Sequence, residues 1–395
     1  MRILLVNDSA RYLRGGANRV AVETSNLLLE AGHEVGFAFC DHGPVQVECP
    51  TFRFSASGAL EADHASLGAA VRAFKPDLIQ VHWLDYPNVH GLLGHGPPEC
   101  RYIHDQSWYC SGGHRMDSRF NACHRPHAPA CLLWHYLQGC GGKNPWGNWT
   151  RWKRSNTNFK TLKHPEIRLQ VASRYMAAGL EENGFPPTQI DLVRLYSAPP
   201  GGNAPNREPG LIVAATRLVH GKGADVLLRA LGTRALRARS WSLILAGEGP
   251  DLPRLRQLAA DQGIGSQVEF PGEVSPGAVS QLFSRASIIV HPTVRPEPFG
   301  LVGPEAMSHA RPVIAFDDGA TPEWLEDGLT GILVREKTPE ALAQAIQALL
   351  DNPDLAGRMG DVGHQRWSQF TPERYLGDLL ASFEKTIAGA AHSYS

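Results

Sequence analysis

Ser287-Ile288-Ile289-Val290 leads through a proline-broken loop into Glu297-Pro298-Phe299-Gly300-Leu301-Val302-Gly303-Pro304-Glu305. The apolar run reads as a buried parallel strand. Pro292, Pro296 and Pro298 forbid helix or central strand beyond it, so Glu297 is expected in a loop at the strand's carboxyl end. Pro304 suits the first turn of a helix, which puts Glu305 at a helix start. Strand, loop and helix in that order form a βα unit, and open α/β sheets bind ligands at the carboxyl edge of their strands. Carboxylates accept hydrogen bonds from paired hydroxyls, so the two glutamates are candidate sugar ligands. Either alone reads better as a solvated acid; the whole segment favours a site.

The same alternation extends both ways. Upstream, strands are expected at Leu211–Ala215, Ser242–Ala246 and Gln267–Phe270, with helices near Asp225–Leu231, over Leu252–Gln262 and over Gly277–Ser284. Downstream come a strand at Pro312–Ala315 and helices over Pro339–Leu350 and Pro372–Ala388. The N-terminal half repeats the plan. Strands are expected at Ile3–Val6, Val35–Phe39, Asp77–Val81, Arg101–Ile103 and Arg168–Ala172, and helices over Ala17–Ala31, Leu67–Phe74 and Tyr175–Asn183. This is an α/β chain with two parallel sheets. Residues 199–208, dense in Pro, Gly and Asn, read as a linker. The expected domains are therefore 1–198, with an unusual insert at about 104–164, and 209–371. Residues 372–395 follow all the strands. Two such domains on a hinge would leave a cleft suited to a two-substrate reaction from which water is excluded.

The chain has 395 residues and a net charge of -1, so no global charge draws it to nucleic acid. The opening apolar run is too short for a signal peptide, and no apolar run is long enough to span a bilayer. The expectation is a cytoplasmic enzyme. All seven cysteines fall within the first 140 residues. An odd number argues against a fully paired disulfide framework.

After the strand at Leu211–Ala215 comes Thr216-Arg217-Leu218-Val219-His220-Gly221-Lys222-Gly223. A guanidinium and an ammonium on one loop at the sheet edge can neutralise a diphosphate, and the glycines let the backbone approach. The spacing is not that of a Walker loop, and a solvated basic turn is the alternative. Gly247-Glu248-Gly249-Pro250 lacks the spacing of a dinucleotide loop, so no nicotinamide cofactor is expected.

Together these pieces closely resemble the retaining GT-B glycosyltransferases of family 4, glycosyl transferases group 1, over nearly the whole chain. The best-matched parts are Arg217…Lys222-Gly223, the Gly247 turn, and Glu297 and Glu305 at E-x7-E spacing. The resemblance implies two Rossmann-like domains facing a central cleft and a C-terminal helix crossing back to the first. It implies a nucleotide-sugar donor, UDP- or GDP-linked, a glycan or lipid-linked acceptor, and no obligatory cofactor. By it, Arg217 and Lys222 hold the donor diphosphate, Glu305 the ribose and Glu297 the transferred sugar. Backbone groups of Phe299, Gly300, Leu301 and Val302 meet sugar and phosphate, and Gly247, Gly272 and Val274 lie at the donor. Gly15 and Gly16 match the family's glycine loop, and His104 stands beside the reacting sugar. Asp105, Trp108 and Tyr109 are expected at the acceptor. The chain departs from the family pattern at Gly319-Ala320-Thr321-Pro322-Glu323, and Arg295 adds a cation that could meet an anionic donor group.

Cys110, Cys123, Cys131 and Cys140 lie among several histidines in the insert. Their spacings are wider than a CxxC pair. A structural zinc or other metal, one or two disulfides, and free thiols all remain open. From Lys143 to His164 there are six basic residues and no acids, interleaved with Trp146, Trp149, Trp152 and Phe159. That suits an anionic membrane surface at the inner face of the membrane, or an acceptor sugar. A solvated basic helix with its tryptophans tucked inward is the alternative. A sugar-nucleotide epimerase of the same architecture and a non-catalytic sugar-nucleotide-binding protein are the competing functions.

Overall fold

The computed structural model describes residues 1–11, 16–55, 60–84, 96–142, 144–199 and 207–393. The chain divides into two compact units, Met1–Leu195 with Glu373–Ser395, and Tyr196–Pro372. Gly15, Lys143 and most of the expected linker lie outside the described residues.

The first unit contains β1 (Arg2–Val6), α1 (Gly16–Glu30), β2 (Glu34–Phe39), β3 (Thr51–Arg53), α2 (Leu60–Phe74), β4 (Leu78–Val81) and β5 (Glu99–Ile103). It continues with α3 (Cys131–Leu137), α4 (Pro145–Leu162), β6 (Arg168–Val171), α5 (Arg174–Glu181) and β7 (Ile190–Leu192). The seven strands are ordered 3-2-1-4-5-6-7, and every pairing is parallel. β4 and β5 are buried along their whole length, as strands covered on both faces by helices must be. One core gathers Leu4, Val6, Phe54, Leu67, Ile79 and Val81; a second gathers Ile103, Trp108, Leu162, Leu169, Met176 and Phe185. Each fully buried Leu, Ile or Phe contributes roughly 1.5–3 kcal/mol.

The second unit contains β8 (Leu211–Ala215), α6 (Ala224–Leu231), α7 (Arg234–Arg237), β9 (Ser242–Ala246), α8 (Leu252–Asp261), β10 (Val268–Glu269), α9 (Pro276–Arg285) and β11 (Ile288–His291). Then follow α10 (Val302–Ser308), β12 (Val313–Phe316), β13 (Gly331–Val334), α11 (Pro339–Asp351) and α12 (Pro353–Arg366). Its six strands run 10-9-8-11-12-13, all parallel. Local chemistry sets the helix starts. Ser275, Thr338 and Asn352 accept from the backbone N–H groups of Ala278, Ala341 and Leu355, each with proline in the first turn.

In both sheets the chain moves outward from the first strand, then crosses back to the strand on its other side. β1 lies between β2 and β4, and β8 between β9 and β11. At such a switch point the loops leaving the two central strands diverge and open a crevice.

The final helix, α13 (Pro372–Ser393), belongs with the first unit. A buried polar network holds it. Ser382 Oγ donates to Asp191 Oδ2 at 2.8 Å and Lys385 Nζ to Asp191 Oδ1 at 3.0 Å. Arg168 forks onto the same carboxylate at 2.8 and 2.9 Å, and Gln170 Nε2 donates to Ser382 Oγ at 2.9 Å. Nearer the helix start, the Tyr375 and Thr24 hydroxyls share a hydrogen bond of 2.6 Å.

Candidate active site

The crevice of the second unit is built from the loops after β8 and β11. Lys222, from the first loop, donates to Glu297 Oε2, from the second, at 2.8 Å. His291, the last residue of β11, brings Nε2 to 3.5 Å from the same oxygen. Burial would raise the Glu297 pKa, but the Lys222 ammonium and then His291 outweigh it and hold the carboxyl well below its usual range. Both contacts fall on Oε2, so Oε1 faces no protein partner among the described residues.

Glycines let these two loops interlock with each other and with the loop after β12. Gly223 has φ +71, and a Cβ there would lie 1.7 Å from the Pro292 carbonyl oxygen. Gly319 has φ +58, and its Cβ would meet the Glu297 nitrogen at 2.3 Å. Ala320 N–H donates to the Glu297 carbonyl at 2.8 Å, so the Gly319-Ala320 departure from the family pattern still braces the glutamate. The turn at 247–250 braces the Arg217 loop. Leu218 N–H donates to the Glu248 carbonyl at 2.8 Å, and Gly247 N–H to the Gly272 carbonyl at 2.8 Å. Gly272 and Gly247 therefore carry structural hydrogen bonds, while Val274 is half-buried beside them in sequence.

Arg217 is exposed on its loop. Arg295 is close enough that, after burial, the Arg217 charge is the next cause lowering its pKa. Arg295 does not project as a free cation: its guanidinium donates to the His220 carbonyl. α10 begins at Val302, before Pro304, and Glu305 lies in its first turn, half-buried. Gly300 has φ +89. Phe299 is buried, and its carbonyl accepts from Trp324 Nε1 at 2.6 Å. Leu301 and Val302 are half-buried at the helix start.

In the first unit, Gly16 opens α1. His104 follows β5 and His82 follows β4, which pair in parallel. His82 Nδ1 and His104 Nε2 are 3.1 Å apart. Burial pushes the His104 pKa down to about 3 and that of His82 well below its ordinary value, so both rings are neutral at physiological pH. His82 Nε2 is buried without a partner. One of the two facing nitrogens donates and the other accepts, according to the tautomer of each ring.

Three expected acceptor residues have other employment. Trp108 and Tyr109 are each 2% exposed and pack in the second core of this unit. Asp105 Oδ1 caps the turn that follows, accepting from Ser107 N–H at 2.9 Å and Ser107 Oγ at 2.6 Å. Apolar rings next to a chain reversal are drawn inward by the area they bury, and residue type alone does not separate that from a sugar platform.

On α4 the tryptophans divide. Trp152 is half-buried and donates to the Ala128 carbonyl at 3.3 Å, whereas Trp146 and Trp149 are 75% and 45% exposed. Leu133, Tyr136 and Leu137 of α3 are exposed as well, and so are Arg151, Lys153, Arg154 and Lys160. Among the described residues no helix is long and apolar enough to cross a membrane.

Sequence reading overlooked His82, His291 and Trp324. Each acts through a contact made across the sheet or between loops. The only local signal was a polar residue at the carboxyl end of an apolar strand, which His82 and His291 both provide.

Two doubly wound parallel sheets, with the last helix returned to the first unit, define the GT-B glycosyltransferase fold. Sucrose-phosphate synthase (tll1590) from Thermosynechococcus elongatus superimposes with a TM-score of 0.76 at 19% identity, over 98% of this chain and 99% of that one. HepE from Anabaena, in complex with UDP and glucose, superimposes with a TM-score of 0.72 at 17% identity, over 97% and 99%. Residues 201–366 match the model of the glycosyl transferases group 1 family. By sequence, the chain is 32% identical over 178 residues to the alpha-D-kanosaminyltransferase of Streptomyces kanamyceticus, covering 45% of this chain and 46% of that protein. It is 30% identical over 216 residues to the GDP-mannose-dependent alpha-(1-6)-phosphatidylinositol monomannoside mannosyltransferase of Mycobacterium tuberculosis (strain CDC 1551 / Oshkosh), covering 52% and 55%. The chain spans about half the length of the curated relatives it matches.

Proposed function

We propose that this chain is a retaining glycosyltransferase. It moves a sugar from a UDP- or GDP-linked donor to a glycan or lipid-linked glycan, in surface polysaccharide or glycoconjugate biosynthesis. The observation that carries this reading is the Lys222–Glu297 pair at the β8/β11 switch point, with Arg217 on the same loop. The names of the mannosyl- and kanosaminyltransferase relatives support it.

In this reading the bond between the anomeric carbon and the phosphate oxygen breaks, and its electron pair leaves with the diphosphate. Arg217 and Lys222 neutralise the charge that develops there. Lys222 is already oriented by Glu297, so it needs little reorganisation as the bond breaks. The acceptor hydroxyl enters on the departing face and passes its proton to the leaving phosphate oxygen, so configuration is retained. Glu297 Oε1 takes a hydroxyl of the transferred sugar, Glu305 the ribose, and His104 stands beside the sugar. No metal ion has a role in this scheme.

A screen of UDP- and GDP-sugars tests the donor. The matching one raises Tm, by the equivalent of about 2.7 kcal/mol at a hundredfold excess over Kd. Proton NMR of the product then shows the donor's anomeric configuration. Inversion would sink the mechanism; no thermal shift and no transfer with any donor would sink the function.

The exposed aromatic and basic residues of α3 and α4 suit an anionic membrane surface, where a lipid-linked acceptor would be met. The protein is expected to sediment with phosphatidylglycerol vesicles at low salt, and Trp146→Ala with Trp149→Ala to release it. Equal sedimentation with neutral vesicles removes the membrane reading.

A further inference from the structure

A cavity in the first unit is lined by Cys110, Cys123, Cys131 and Cys140, with Arg115 and His135 among its other walls. The cysteines come from four places: the turn after β5, the end of a two-residue antiparallel bridge (Met116 with Ala122), the first residue of α3, and the loop beyond it. We propose that these four sulfurs form a tetrathiolate site for a structural zinc ion.

Two observations carry the proposal. First, four cysteines spread over 30 residues of chain line one cavity. Gly112 separates two of them, since a Cβ there would lie 3.6 Å from both Cys110 Sγ and Cys140 Cβ, and 2.9 Å from the Cys140 carbonyl oxygen.

Second, the segment is loop-rich: between β5 and α4 the regular structure among the described residues is a three-residue 3-10 turn, one bridge and the seven-residue α3. A metal staple would tie such a segment together. Four cysteine ligands with no open position make a closed structural site. His135, also at the cavity, has Nε2 hydrogen-bonded with Ser111 Oγ at 2.8 Å.

All seven cysteines are free thiols here, and no three candidate ligands among the described residues already stand at metal-sharing separations. Binding therefore draws the four thiols inward and tightens the segment.

The test uses the full chain without a histidine tag, grown with zinc. Elemental analysis is expected to give about one zinc per chain. Cobalt substituted for it should show the intense thiolate-to-metal absorption of a tetrahedral sulfur site. Cys110→Ser and Cys140→Ser lose the metal, while Cys49→Ser keeps it. Should the serine variants not fold, a mercurial titration of the wild type serves instead, releasing zinc in step with four thiols. Metal-free protein with four freely reactive thiols overturns the proposal. So does a non-reducing mass spectrum that shows these cysteines paired as disulfides.

Discussion

Lys222→Met is expected to lower kcat/KM for sugar transfer by about 10²–10³-fold, the usual loss when one preorganised charge-stabilising donor is removed. Methionine keeps the stem of the side chain, so packing changes little. Two effects combine at this position. The leaving diphosphate loses an ammonium, and Glu297 loses the partner 2.8 Å away that keeps its buried carboxylate ionised. Burial is the opposing influence at Glu297, so without Lys222 its pKa rises from its depressed value toward and beyond the ordinary one. The acid limb of the kcat/KM profile should therefore move to higher pH in the variant. Glu297→Gln should share much of the same loss, so the double variant is far less impaired than the product of the two single losses. Near-wild-type kcat/KM in Lys222→Met, or strict multiplication of the two losses, would show that the pair does not act as a unit.

Asp191→Ala is expected to destabilise the first unit by about 3 kcal/mol, the low end of the cost of removing one partner from a buried charge pair, because the Lys385 side chain is 59% exposed. Arg168 of β6 and Ser382 and Lys385 of α13 all converge on this carboxylate. At roughly 2–4 °C per kcal/mol for a unit of this size, Tm falls by on the order of 10 °C. α13 should become the first site of proteolysis. Burial would raise the Asp191 pKa, but the hydrogen bonds from Arg168, Ser382 and Lys385 hold it below the ordinary 3.8. A depressed carboxylate stabilises the fold above its unfolded pKa, and that contribution is lost as pH falls through the folded value. Wild type and variant should then converge only at the acid end of a stability profile. A variant that melts within a degree of wild type at pH 7 would mean that apolar contacts, and not this network, hold the helix.

The strands were legible because a parallel strand covered on both faces is an unbroken apolar run. Leu211–Ala215 and Ser242–Ala246 are read from residue type to the residue. β3, β7 and β13 escaped notice: β3 and β7 have three residues each, and β13 is only partly buried, so their patterns fall below what periodicity can register. α12 was also missed, since three glycines dilute its apolar face. α10 starts two residues before the proline that suggested it, because Leu301 is already helical in backbone. Trp108 and Tyr109 looked like acceptor contacts and are core. The four cysteines were legible as a group open to metal, disulfide or free thiol, but that one cavity collects them was not, since their spacing does not say so.

Residue type and short-range order by themselves determined that this is a doubly wound α/β chain in two halves, and that Arg217, Lys222, Glu297 and Glu305 stand at sheet edges. Those features depend on local periodicity, proline and glycine, which act over a few residues. Only the tertiary structure decided that Lys222 meets Glu297, 75 positions away, that His82 meets His104, and that α13 docks on Asp191. The physical reason is strand order. A parallel sheet makes neighbours of β8 and β11, or β4 and β5, by long crossovers, and the side chains at their ends acquire partners and perturbed pKa values only once that pairing has formed.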